Sequence, residues 1–131
     1  MNTEKIQLWI DDLETTSALQ GTTTLRTRDD KFCCLGRACE VSGLAKWEVS
    51  AFSERYTCLG KKGTLTSPIL DFFGLTSMHQ SDLVTLNDLF RCTFKEIASV
   101  LRLVLRTGCS IMDAALKLKL GTIEVWETIV P

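Results

Sequence analysis

The stretch KFCCLGRACEVSG, Lys31 to Gly43, holds Cys33, Cys34 and Cys39, half of the six cysteines in the chain. Whether these sulfurs bind a metal, react or pack decides what fold surrounds them. A zinc site wants four ligands, usually in close pairs that let one turn present two sulfurs. Cys34-x4-Cys39 is the only near-pair; Cys58, Cys92 and Cys109 stand alone, and His79 is the single histidine. A redox pair of the C-x-x-C type is absent. The vicinal Cys33-Cys34 could close only a strained ring, although Lys31 and Arg37 supply the positive surroundings that activate a thiol. Packing is the commoner role for small buried cysteines.

Working outward, Lys31-Phe32-Cys33 is expected as a short strand and 34–42 as a short helix closed by a left-handed Gly43. Upstream, the spacing of Ile6, Trp9, Ile10 and Leu13 predicts a helix over 3–16 capped by Thr3. The β-branched run GTTTLRT (21–27) predicts a strand, and Arg28-Asp29-Asp30 a turn. Downstream, Trp47–Ser50 and Glu54–Leu59 are strand candidates, with Gly60-Lys61-Lys62-Gly63 as a hairpin turn. Ser67-Pro68 opens a short helix that ends at Gly74, and TSMHQSD (76–82) is expected as polar loop. Thr93-Phe94-Lys95-Glu96 is a capping box in front of a helix to about Arg106. Ser110 caps another helix to about Leu120. GTIEVWETIVP (121–131) fits both a strand and a helical turn.

The 131 residues fit one domain, large enough to build a core unaided. A hydrophobic share of 45% and a mean hydropathy of +0.11 argue for a packed chain. Two prolines and no Pro/Ser/Gly-rich tract leave no linker. Fifteen Lys and Arg against sixteen Asp and Glu give a net charge of -1, which offers nucleic acid no cationic excess. The charged N-terminus carries no apolar segment of signal-peptide length, and no apolar run approaches the roughly 18 residues of a membrane span. The expected location is the cytosol, where thiols stay reduced.

Catalytic motifs are missing. His79 stands in a polar stretch without a nucleophile motif, and G-x-S-x-G, H-E-x-x-H and P-loop patterns do not occur. GKKGT (60–64) shares letters with a phosphate loop but not its spacing. Asp11-Asp12 reads as a solvated face and Asp29-Asp30 as a turn. FKEIASVL (94–101) resembles the start of a helix-turn-helix, but Arg102 and Leu103 continue the helix where a turn glycine belongs.

Four pieces in order, namely Phe32-Cys33-Cys34-Leu35-Gly36 with Cys39 and Glu40, Pro68…Phe73-Gly74-Leu75, Leu83…Leu86-Asn87-Asp88 and Phe94-Lys95-Glu96-Ile97-Ala98, resemble an uncharacterised group of small tailed-bacteriophage proteins. That group's pattern is aromatic-Cys-Cys-Leu-Gly-x-x-Cys, a Pro…Gly-Leu helix, Leu-Asn-Asp, then Phe-x-Glu-Ile-Ala. The match spans about residues 18–101 and leaves 107–131 outside. The resemblance implies an accessory protein acting inside an infected bacterium, and it assigns no catalytic residue. Its cysteines keep company with Leu, Gly and an aromatic. On a helix Leu35 and Cys39 share a face, and Gly36 lets another backbone come close, so tight apolar packing accounts for all three sulfurs. Asn87-Asp88 reads as a turn.

The expected architecture is a single α+β domain over 1–131, with a small antiparallel sheet from the middle of the chain packed against N- and C-terminal helices. The expected function is non-catalytic binding that inhibits or redirects a host protein in the host cytoplasm. Helices 94–106 and 110–120 are apolar over wide arcs, so Val100, Leu103, Val104, Met112 and Leu116 are the candidate interface, for the host protein or for a homodimer. A second reading is a small-ligand protein that sequesters a nucleotide, with Arg26, Arg28, Arg55, Lys61 and Lys62 meeting phosphates. A cysteine- or metal-dependent enzyme is the third. No cofactor, membrane or nucleic-acid partner is expected.

Overall fold

The computed structural model describes residues 1–121, so the ambiguous stretch 122–131 lies outside the described residues. Helix α1 (Thr3–Thr15) is capped by Asn2, whose side chain accepts the Lys5 amide, rather than by Thr3. It turns Ile6, Trp9, Ile10 and Leu13 inward, the stripe its spacing predicts. The Trp9 indole is wholly buried against Phe73, ring centroids 5.3 Å apart, and donates to the Cys34 carbonyl at 3.1 Å. Burying a large side chain of this kind is worth about 2–3 kcal/mol, and the indole N–H does not go unpaired.

Strand β1 (Leu19–Gln20) runs parallel to β2 (Lys31–Phe32), with Leu19 opposite Lys31 and Gln20 opposite Phe32. Helix α2 (Cys34–Ser42) follows and stops at Gly43, φ +70°, as its sequence predicts. The two strand candidates are present in shortened form and pair with each other, β3 (Trp47–Glu48) antiparallel to β4 (Thr57–Cys58). The chain then reverses over Leu59 and Gly60, both left-handed, within a Cys58–Lys61 turn two residues earlier than the expected Gly60–Gly63 turn. Together the elements make an α+β fold in which two small sheets accompany helices that pack mainly on one another, with β2 against α2.

The strand expected over 21–27 is reduced to isolated bridges, Arg26 with Phe32 and Thr27 with Arg55. Its backbone is shared among several neighbours: Leu25 N–H donates to Lys62, Leu25 C=O accepts from Cys33, and Arg26 C=O accepts from Tyr56. No single partner strand can run alongside a segment whose bonds go three ways.

Helix α3 (Ser67–Phe73) carries Pro68 in its first turn and ends at a left-handed Gly74. The polar stretch expected as loop is instead helix α4 (Ser77–Val84), held by a reciprocal cap in which Thr76 accepts the His79 amide and His79 Nδ1 accepts the Thr76 amide. Histidine in place of Glu or Gln hid that capping box, and Leu83 is the only residue of α4 that is fully buried. A π-helical turn (Thr85–Leu89) extends α4. Helix α5 (Phe94–Thr107) starts at the predicted Thr93/Glu96 capping box and packs along α1, with Arg102 paired to Glu14 across the two helices. Helix α6 (Ile111–Lys117) is capped by Ser110.

One apolar cluster joins these elements, and Cys33, Cys34, Cys39, Cys58 and Cys92 belong to it. Burial raises the Cys33 and Cys92 thiols to about 11 and moves Cys34 and Cys39 upward as well. Small and enclosed, these sulfurs pack within the apolar cluster. Asp12, read from sequence as part of a solvated face, instead takes a two-pronged bond from Arg37, Nε to Oδ2 at 2.9 Å and a terminal nitrogen to Oδ1 at 2.7 Å. The same guanidinium lies over Phe32, 4.9 Å from its centroid.

Candidate functional site

The five cations grouped from sequence do not converge on one point. Arg26 is enclosed by Tyr56, Phe32 and Trp47, its guanidinium carbon 4.1, 5.2 and 5.4 Å from the three centroids, and pairs with Asp30 at 2.6 Å. Cation–π contact and ion pair together commit that charge to the fold. Arg28 donates to the carbonyls of Ser50, Ala51 and Ser53 at 3.0, 3.3 and 3.1 Å. Arg55 lines a cleft of about 340 Å³ shared with Glu48, Val49, Ser50, Ser53 and Thr57. Lys61 and Lys62 sit exposed at and beyond the hairpin reversal and line no described cavity.

The loop that Arg28 grips presents a residue the sequence reading missed. Phe52 is 99% exposed, in the middle of the loop that lines the 340 Å³ cleft on either side of it. Its signal was a lone phenylalanine among small and polar residues between two strand candidates, a position with no periodicity to assign it to a core.

The helical candidates separate. Val100 is fully buried and is a core residue, because α1 and α6 cover that face of α5. Leu103, Val104 and Met112 are half-buried, while Leu116 is 56% exposed with Leu118 beside it in the chain. The broad apolar arc of α5 is therefore largely consumed by internal packing.

A third region gathers three of the four motif pieces singled out in the sequence. Asn87, 1% exposed, accepts the Cys34 amide at 3.1 Å and Gln20 Nε2 at 2.9 Å on its Oδ1. Its Nδ2 donates to Gly21 C=O at 2.9 Å and to Asp88 at 2.8 Å. Gln20 continues the network, donating to Cys92 C=O and accepting the Phe94 amide. Cys34, Asn87 and Phe94 thus meet through one buried amide pair, and the turn expected at Asn87-Asp88 is a hub of long-range bonds instead. Beside it lies a cavity of about 220 Å³ lined by Gln20, Gly21, Thr22, Asn87, Arg91 and Cys92.

His79 is used as a helix cap, and desolvation, reinforced by the N-terminal ammonium, lowers its pKa. Among the described residues, no three or more His, Cys, Asp or Glu side chains are grouped to hold a metal ion, and no helix is long and apolar enough to cross a membrane. No family model matches the chain, and no curated protein or solved structure shows significant similarity to it.

Proposed function

We propose that the protein is a non-catalytic binding module that recognises another protein through the Phe52 loop. The observation that carries this is a phenylalanine left 99% exposed on a loop whose carbonyls are clamped by Arg28. Leaving such a ring in water forgoes about 2–3 kcal/mol of burial. Fixing it in place beforehand lowers the entropy lost on association, which is how aromatic anchors serve interfaces. The surroundings favour an acidic partner: residues 44–64 carry Lys46, Arg55, Lys61 and Lys62 against Glu48 and Glu54, within a chain of net charge -1. In the setting that the phage resemblance implies, the partner is a host protein met in the cytoplasm of the infected bacterium, inhibited or redirected by this contact.

The test is affinity capture from host lysate with the wild type, Phe52→Ala and Leu116→Ser. A stoichiometric partner kept by Leu116→Ser and lost by Phe52→Ala supports the reading. Loss on Leu116→Ser alone transfers the contact to the C-terminal helices, and a clean wild-type lane overturns the binding function.

A further inference from the structure

The 220 Å³ cavity beside Asn87 combines a finished floor with an unspent rim. Both amides of the floor, Asn87 and Gln20, are fully engaged with protein partners, so the surface they present is polar and rigid. On the rim, Arg91 has φ +53°, and among the described residues its guanidinium has no hydrogen bond or ion pair. A left-handed residue is needed there, because the reversal after the π turn brings Cys92 N–H to Leu86 C=O at 3.0 Å. Glycine would make that reversal without strain, whereas a side chain in this region costs on the order of 1 kcal/mol. Among the described residues, the fold therefore uses the backbone of Arg91 and leaves its guanidinium without a partner.

The other rim residue is Thr22, exposed, its hydroxyl without a hydrogen-bond partner among the described residues. Among the described residues the nearby carboxylates Asp88 and Glu96 do not line the cavity: Asp88 accepts from Asn87, and Glu96 accepts the Thr93 amide. The Cys92 thiol, raised to about 11 mainly by burial, adds no negative charge at neutral pH.

From this geometry we infer that the cavity binds a small monocarboxylate, its planar anion held by the Arg91 fork and the Thr22 hydroxyl. The remainder of the ligand rests against the Gln20–Asn87 floor. A guanidinium presents paired donors that match a carboxylate edge. At about 30 Å³ for a water-sized group, the volume admits on the order of seven non-hydrogen atoms. The site is independent of the Phe52 loop.

Titration of the labelled protein with acetate, propionate and butyrate, followed by amide NMR, tests the inference. Propionamide serves as the neutral control and inorganic phosphate as the competing anion, at matched ionic strength. Saturable shifts at Gly21, Thr22, Arg91 and Cys92 with a Kd of about 1 mM or tighter are expected for the carboxylates. Arg91→Gly, which melts at or above the wild-type temperature, weakens binding at least about tenfold, and Arg91→Lys, which keeps the charge but not the fork, also binds more weakly. Absence of saturable shifts, equal response to propionamide or phosphate, or undiminished binding by Arg91→Gly overturns the assignment.

Discussion

Gly36 lies so close to Leu25 that a Cβ built on it falls 1.8 Å from the Leu25 oxygen and 2.8 Å from its carbonyl carbon. The same carbonyl accepts the Cys33 amide, so the start of α2 is sewn onto the crossing segment at its tightest point. Both obstructing atoms are backbone, which no rotamer change can move. Gly36→Ala is expected to cost at least about 3 kcal/mol by urea unfolding. Gly43→Ala meets only open space and pays for its left-handed φ alone, about 1 kcal/mol. Equal losses in the two variants would disprove the close approach.

Asn87→Asp keeps the shape of the hub but sets an oxygen against the Gly21 carbonyl and Asp88, where an N–H donor stood. A destabilisation of about 3 kcal/mol at neutral pH is expected, shrinking toward about pH 4 as a carboxyl takes up a proton. Unfolding curves at the two pH values check this, and a loss that does not change with pH would show that the Nδ2 contacts are unimportant.

Because His79 Nδ1 accepts the Thr76 amide, the cap requires the neutral ring. Its folded pKa lies below the ordinary 6.5, so the unfolded chain binds the extra proton more readily. The cap's stabilisation is complete above the ordinary value and declines as pH falls through 6.5 to the folded value. With the ring largely solvated, the loss stays under about 1 kcal/mol. Burial raises the Asp82 carboxyl, an effect of opposite sign that enters only at lower pH. Melting between about pH 7.5 and 5.5 should show the decline in the wild type and not in His79→Gln; an identical decline in both would assign it elsewhere.

Five cysteines are buried and Cys109 is half-buried, its sulfur beside the Thr107 hydroxyl. An aromatic disulfide reagent should label one thiol quickly in the native protein and all six after denaturation. Cys109→Ser should remove the fast phase. Rapid release of several equivalents from the native chain would show that the sulfur layer is open.

Thr24 is 7% exposed, and its hydroxyl has no hydrogen-bond partner among the described residues. Thr24→Val keeps the branched shape without the unpaired group and should stabilise the protein by about 1 kcal/mol. A lower melting temperature in the variant would mean that the hydroxyl is in fact satisfied.

Features whose causes are local were legible in the sequence alone. The stops at Gly43 and Gly74 follow from the missing Cβ, and the α5 start follows from a threonine three residues before a glutamate. The inward stripe of α1 needed only helical spacing, and the small residues around Cys33, Cys34 and Cys39 already described a tight packing layer. Features with partners far along the chain were not legible. Asn87 bonds Gly21 and Cys34 across 66 and 53 residues, and Arg37 reaches Asp12 across 25. The parallel pairing of β1 with β2 and the grip of Arg28 on the 50–53 carbonyls are of the same kind.

Sequence by itself determined where α2 and α3 stop, where α5 and α6 start, which face of α1 turns inward and where a second backbone can approach. Those outcomes depend on one residue's conformational freedom or on a repeat within a few turns. Tertiary structure alone decided that Val100 is core while Phe52 is surface, and that Arg26 and Arg28 are spent while Arg91 meets no partner among the described residues. Burial and charge pairing depend on which distant segments arrive beside a residue, and neighbours in the chain carry no record of that.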